Sequence, residues 1–180
     1  GELYYDKKDY VNAMRVWNNG VNSFKNTTAA VDMARKMEEV FITMFNEGVA
    51  DKLPPLEALA LYYEYRNYMP GGTAGNEMLE RLAERLISVD LLEQASSLLD
   101  HQMRSQTEKE RRSRIGAKLA QTHLMNNQPQ KALTALQDSV YGENPVLLRL
   151  TRNRLAAEAI MELGKPDLAM QTLGQDESPE

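Results

Sequence analysis

The sequence predicts an all-α protein built as a stacked array of helical pairs, and two observations carry that expectation. The first is a repeat: Pro129, Ala132 and Leu136 recur thirty-seven residues on as Pro166, Ala169 and Leu173, and thirty-seven back as Leu92, Ala95 and Leu99. The phase continues, at intervals of forty-five, through Pro55, Ala58 and Tyr62 to Tyr10, Ala13 and Trp17. The second is what precedes each triplet. Ala83, Ala120 and Ala157 each stand twelve residues before Ala95, Ala132 and Ala169, inside segments of helical periodicity. A period of this size marks a two-helix unit that buries its apolar face only by stacking on its neighbours.

In chain order, Asp9 is placed to cap a helix running to about Phe24. From Thr27, the residues Val31, Ala34, Met37, Phe41, Met44 and Phe45 form one stripe of a long amphipathic helix that stops at Gly48. Relative to the later copies this helix is expected to have gained about two turns. Pro55 suits the first turn of the next helix, since its missing N–H has no partner to lose there. That helix leads into the loop Pro70 to Gly75, a flexible joint between an irregular half and a regular half. Beyond it, Asn76 is expected to cap a first helix containing Leu79, Leu82, Ala83 and Leu86. Gly116, Leu119, Ala120 and His123 hold the same places next, and Asn153, Ala156, Ala157 and Ile160 after that. Thr107 and Glu110 have the spacing of a capping box, Asn144 and Pro145 open the last long helix, and Gly164 closes it.

The spacing of Gly1, Tyr4, Ala13 and Trp17, and the sets above, resemble the tetratricopeptide repeat family in a degenerate, 37-residue form. The resemblance covers most of the chain. It departs from the family pattern at the first-helix aromatic, which is Leu86, His123 and Ile160 here, and at the small core position, which is Ala in the last three copies. It implies a right-handed α–α superhelix whose first helices line a concave groove holding a peptide or partner helix. It does not imply catalysis.

The domain expectation is one solenoid over residues 1–173 with about five pairs. The first is truncated, the second, 27–69, is irregular, and those in 76–173 are regular; an acidic tail, 174–180, stays unfolded. The opening GELYY reads as the inside of a repeat, as in a segment of a larger protein.

Charge and composition bound the function. Twenty-one Lys and Arg against twenty-six Asp and Glu give a net charge of −5, which disfavours a protein that works by neutralising nucleic-acid phosphates or anionic lipid. No cysteine is present, so thiolate catalysis, disulfides and Cys-based zinc sites are excluded, and the compartment stays open. No apolar run approaches the ~20 residues of a membrane-spanning helix. No cofactor, metal site or catalytic constellation is expected.

Counting along each first helix from its small position places Glu77, Glu80 and Glu84 in the groove, then Arg114, Gln121, Leu124 and Met125, then Arg154, Glu158 and Met161. Arg114 and Arg154 are suited to a peptide carboxylate, because guanidinium binds it bidentately. The alternative for these residues is a solvated helical face. Tyr62, Tyr63, Tyr65 and Tyr68 offer either a contact patch or rings packed between pairs, and Tyr62 and Tyr65 share one side of the helix. The cluster Lys109, Arg111, Arg112 and Arg114 is diluted by Glu108 and Glu110 and spread round a helix. His123 falls on a core position and is expected to be a packed, hydrogen-bonded imidazole.

The expected function is a non-catalytic scaffold for a protein or peptide partner. Two other classes stay open: a homo-oligomerisation module, since the short last helix leaves Leu168 and Leu173 poorly covered, and a nucleotide- or nucleic-acid-binding protein using the Pro70 to Gly75 loop.

Overall fold

A computed structural model of the chain describes residues 1–174. The described residues are helical, with no strand among them. Ten α-helices follow in order: α1 (Glu2–Asp6), α2 (Tyr10–Ser23), α3 (Thr28–Phe45), α4 (Pro55–Tyr65), α5 (Gly72–Ser88), α6 (Leu92–Ser105), α7 (Lys109–Met125), α8 (Pro129–Asp138), α9 (Val146–Glu162) and α10 (Pro166–Gly174). They divide into two compact units, Gly1–Leu82 and a second beginning at Ala83. Residues 175–180, most of the acidic tail expected to be unfolded, lie outside the described residues, and Gly174 is the last residue of α10.

The repeat phase corresponds to one local geometry. Ala13, Ala58, Ala95, Ala132 and Ala169 are each the fourth residue of their helix, at α2, α4, α6, α8 and α10, and each is buried. Each donates its backbone N–H to the carbonyl just before the helix: Ala13 to Asp9, Ala58 to Pro54, Ala95 to Leu91, Ala132 to Gln128 and Ala169 to Lys165, at 3.0–3.1 Å. A methyl at this position allows a neighbouring helix to approach, which a longer side chain would prevent.

Four of the five pairs also share one turn. Three residues separate α1 from α2, α5 from α6, α7 from α8 and α9 from α10, and the middle one is left-handed: Lys8 (φ 59°), Asp90 (φ 62°), Asn127 (φ 54°) and Gly164 (φ 76°). In each turn the residue after it donates to a carbonyl five back: Asp9 to Tyr4, Leu91 to Leu86, Gln128 to His123 and Lys165 to Ile160. The left-handed residue itself donates to the carbonyl three back, as Asn127 does to Leu124 at 2.9 Å. These paired bonds are the Schellman arrangement, which satisfies the orphan carbonyls of a helix end. The accepting carbonyls belong to one repeat position, held by Tyr4, Leu86, His123 and Ile160.

The second pair differs, and its extra length goes elsewhere than expected. α3 has 18 residues against 17 in α5, α7 and α9, so the helix is only one residue longer rather than two turns longer. The insertion lies in the corner 46–54, where Gly48 (φ 81°) ends the helix and Val49–Lys52 makes a 3-10 turn. Arg81 of α5 holds this corner through the Asn46 carbonyl and an ion pair with Asp51 at 2.7 Å. The stretch Pro70 to Gly75, expected to be a joint, enters α5 at Gly72, and Asn76 lies inside the helix, donating to the Gly72 carbonyl at 2.8 Å. Gly75 is required here, because a β-carbon would stand 2.1 Å from the Pro70 carbonyl oxygen. The Thr107–Glu110 capping box does not form: α7 starts at Lys109, with Glu108 as an N-cap that makes no side-chain bond.

In the first unit, Phe41 and Phe45 stack at 5.0 Å and pack with Met14, Trp17, Met37 and Met44 in the core. The tyrosines separate as the helical wheel requires. Tyr62 and Tyr65 are each 2% exposed, Tyr63 is 45% exposed, and the Tyr68 hydroxyl meets Asn18 Oδ1 at 3.2 Å. Burial and the Glu64 carboxylate hold the Tyr65 phenol up to about 12.

Left-handed backbone costs an L-residue with a β-carbon about 1–2 kcal/mol, and glycine escapes that cost. Lys8→Gly and Asn127→Gly should therefore each raise the unfolding free energy in urea by about 0.5–1 kcal/mol, and Gly164→Ala should lower it by about as much. Equal midpoints for all three variants and the parent chain would contradict the turn geometry.

Candidate functional site: a cleft between α7 and α9

The cleft rests on a polar node that fixes three helices of the second unit. Arg152 shares a helical face with Leu155 and Ala159, and it is buried with them. Its guanidinium donates to the Ser113 carbonyl at 2.7 Å, to Ser139 Oγ at 3.1 Å and to the Leu136 carbonyl, joining α9 to α7 and to the end of α8. Asn144 donates to Ser113 Oγ at 2.8 Å, and Arg112 to the Asp138 carbonyl at 2.8 Å. Burial pushes the Arg152 pKa down, while its hydrogen bonds to carbonyls offset part of the cost of removing the cation from water. Gly116 allows α7 to reach this node, since a β-carbon there would lie 1.8 Å from Ser139 Oγ.

Beside the node, Gln121, Leu124 and Met125 of α7 face Arg154, Leu155 and Glu158 of α9 across a cleft of about 240 Å³. Leu124 and Leu155 form its apolar floor, and the exposed Gln121, Met125, Arg154 and Glu158 form its rim. Arg154 has no ion-pair partner among the described residues. On its outer side the cleft adjoins a second hollow of about 310 Å³ between α9 and α10, shared at Arg154 and Glu158 and completed by Ala157, Met161, Ala169, Met170 and Leu173.

Five of the ten groove residues named from the sequence, Gln121, Leu124, Met125, Arg154 and Glu158, thus line one cleft, and Met161 lines the hollow beside it. The others do not join it. Arg114 is exposed and pairs with Glu110 one turn away at 2.7 Å, and Glu84 pairs with Lys118. Glu77 is exposed and Glu80 half-buried on α5, within the first unit. The basic cluster is likewise engaged along its own helix and its neighbour, Arg111 with Glu108 at 3.4 Å and Arg112 with the end of α8. An exposed pair of this kind contributes about 0–1 kcal/mol and leaves little free charge for an anionic partner.

His123 is half-buried, with Nδ1 3.1 Å from Gln128 Oε1. Burial, and to a lesser degree the Lys131 charge, lower its pKa; the Gln128 bond and the Glu93 and Asp100 carboxylates oppose this. It borders a hollow of about 300 Å³ between α6 and α8, whose rim mixes Glu93, Asp100 and Asp138 with Arg104 and Lys131. Glu93 accepts hydrogen bonds from Gln128 and Asn126, both at 2.7 Å, and these hold its pKa below the ordinary carboxylate value. Among the described residues no cluster of His, Asp and Glu converges to hold a metal ion, and no helix is long and apolar enough to cross a membrane.

Two features escaped the sequence reading. Arg152 had a signal, as a cation three and seven residues before Leu155 and Ala159 on an otherwise apolar stripe. A hollow of about 630 Å³ in the first unit, lined in part by Val16, Trp17, Phe24, Met33 and Lys36, had only a faint one in the exposed Phe24. At this hollow Lys36 pairs with Glu2 beside the Trp17 ring.

Comparison of the chain with family models, with curated proteins and with solved structures gives no match.

Two outcomes follow from this geometry. Gly116→Ala should destabilise the chain by about 1–3 kcal/mol through overpacking, and adding Ser139→Gly should recover part of the loss; a double variant no better than the single one would remove the close approach as the cause. For His123, the folded-state pKa lies below the unfolded value. The unfolded chain therefore takes up the proton first, and the stability from this residue, present above the ordinary histidine value of about 6.5, is lost as pH falls below it. Urea midpoints between pH 8 and 5 should drop more steeply for the parent chain than for His123→Leu, which carries the residue found at position 86; parallel profiles would contradict the assignment.

Proposed function

We propose that this chain is a non-catalytic, tetratricopeptide-like helical-hairpin solenoid, a right-handed superhelix that binds a peptide or helix of a protein partner. The observation that carries the reading is the cleft between α7 and α9. Its apolar floor of Leu124 and Leu155 sits under an exposed methionine, and Arg154 and Gln121 stand on the rim as a cation and an amide. An apolar floor gives affinity with little directional demand, a methionine adapts to the shape above it, and a rim cation sets the polarity of a bound backbone or carboxylate. The five equivalent alanines and the four matching turns support the solenoid, because they place the same hairpin geometry at the repeat interval. The polar node under the cleft fixes α7 and α9 in advance, which reduces the ordering cost of binding.

The cleft suits an extended peptide or one face of a helix better than a small polar metabolite. Its charged groups lie at the rim, and the floor offers two leucines.

The reading is tested by affinity capture from the native cell with the parent chain and with a Met125→Glu, Arg154→Glu double variant. At least one protein recovered by the parent should fall tenfold or more with the variant, whose helicity and unfolding midpoint should match the parent's because both positions are exposed. Recovery of every partner at the parental level would sink the cleft assignment.

A further inference from the structure

We infer that the hollow between α6 and α8 binds a small zwitterion of the α-amino-acid type, held by Lys131 at its carboxylate and by Asp100 and His123 at its ammonium group. The hollow, of about 300 Å³, lies on second helices, apart from the cleft that α7 and α9 form. Its size is at the lower end for small-molecule sites. The helices around it already have the chain's next helix packed on them, α7 on α6 and α9 on α8.

The hollow exists because the repeat is broken there. Ser96, the fifth residue of α6, lines it; the fifth residue of the other second helices is Met14, Leu59, Leu133 or Met170. Ala135 of α8 lines it too, at the position where α6 has the buried Leu98. His123 borders the same space, and the other matched turns have Tyr4, Leu86 and Ile160 in its place. Two short side chains and one polar ring thus surround a space that the repeat elsewhere gives to large, mostly apolar residues. An unfilled space in a packed core costs stability, and departures from an otherwise consistent pattern gather at functional sites.

The groups left unused specify the ligand. Gln128 donates its amide N–H to Glu93, so its oxygen faces His123 and the imidazole donates from Nδ1. Nε2 is left as an acceptor, with no hydrogen-bond partner among the described residues. The Asp100 carboxylate is close enough to act on this imidazole. Asp100 and Asp138 share one guanidinium, that of Arg104, at 2.8 and 3.9 Å. Glu93 is occupied by Asn126 and Gln128, and Lys131 stands in no ion pair among the described residues. The hollow therefore presents one unpaired cation beside a surplus of acceptors. A simple anion would meet three carboxylates, a simple cation would meet Lys131 and Arg104, and an apolar molecule would strip water from all of them. A molecule that joins a carboxylate to an ammonium group forms charge-assisted hydrogen bonds with both kinds of group at once.

The probes are the standard amino acids, each added at millimolar concentration to the intact chain during thermal unfolding. At least one should raise the midpoint by about 2–4 °C. For that amino acid, titration calorimetry should give one site per chain. Lys131→Gln, at an exposed position, should weaken its binding at least tenfold, and His123→Leu several-fold. Ser96→Leu, which fills the hollow with the residue that α4 and α8 carry there, should abolish it. Lys109→Gln, an exposed cation at the opposite end of α7 from His123, should leave it unchanged. Circular dichroism with a urea midpoint checks that each variant is folded, and Lys131→Gln carries the test if Ser96→Leu is not. The proposal is overturned if no amino acid shifts the midpoint, or if binding survives Lys131→Gln undiminished. It is also overturned if acetate or methylamine alone raises the midpoint as far as the amino acid does, because a single charge would then suffice.

Discussion

The structure depends on one recurring constraint, that each second helix offers an alanine methyl at its fourth residue. A buried methyl has no rotamer entropy to lose and keeps the helix axis within reach of its neighbour. Ala13, Ala58, Ala95, Ala132 and Ala169 meet this condition in five different local sequences. The residue four later is large in every copy but differs in shape: Trp17, Tyr62, Leu99, Leu136 or Leu173. The large side chain adapts to the space available, whereas the small one sets that space.

The Schellman turn is the second half of the same constraint. A three-residue connection fixes the angle at which the second helix leaves the first, so the alanine arrives at a set height along the hairpin. Where the connection is longer, at the corner 46–54, Gly48, the 3-10 turn and Arg81 reaching across from α5 fix the exit angle instead. The irregular pair keeps its alanine buried by this different route.

The regular pairs use polar groups sparingly but decisively. Arg152 makes three hydrogen bonds, to two backbone carbonyls and one hydroxyl, and so joins helices that apolar packing alone would leave free to slide. Hydrogen bonds donated by a charged group contribute about 1.5–3 kcal/mol each, which makes the node specific as well as stabilising. The cleft beside it inherits that fixed geometry. Its rim residues are exposed and make few bonds among themselves, which leaves them available to a partner.

Much of this was written in local patterns. The 37-residue period, the alanines, the first-turn prolines at positions 55, 129 and 166, the caps Asp9 and Thr27, and the end at Gly164 were all readable, because each is set within one or two turns of helix. The separation of Tyr62 and Tyr65 from Tyr63 follows from helical spacing alone. The sequence could not decide which exposed charges find a partner on a neighbouring helix, so Glu84 looked equivalent to Glu158 until packing brought Lys118 to it, whereas the Arg114–Glu110 pair lies one turn apart on α7. Nor could it place the insertion of the second pair in a corner rather than in a helix, because both give the same spacing between alanines. Chain-local periodicity determined the helices and their phase; the tertiary structure decided which side chains meet, because that depends on helices whose residues are far apart in the chain and whose approach is governed by the shape of every residue between them.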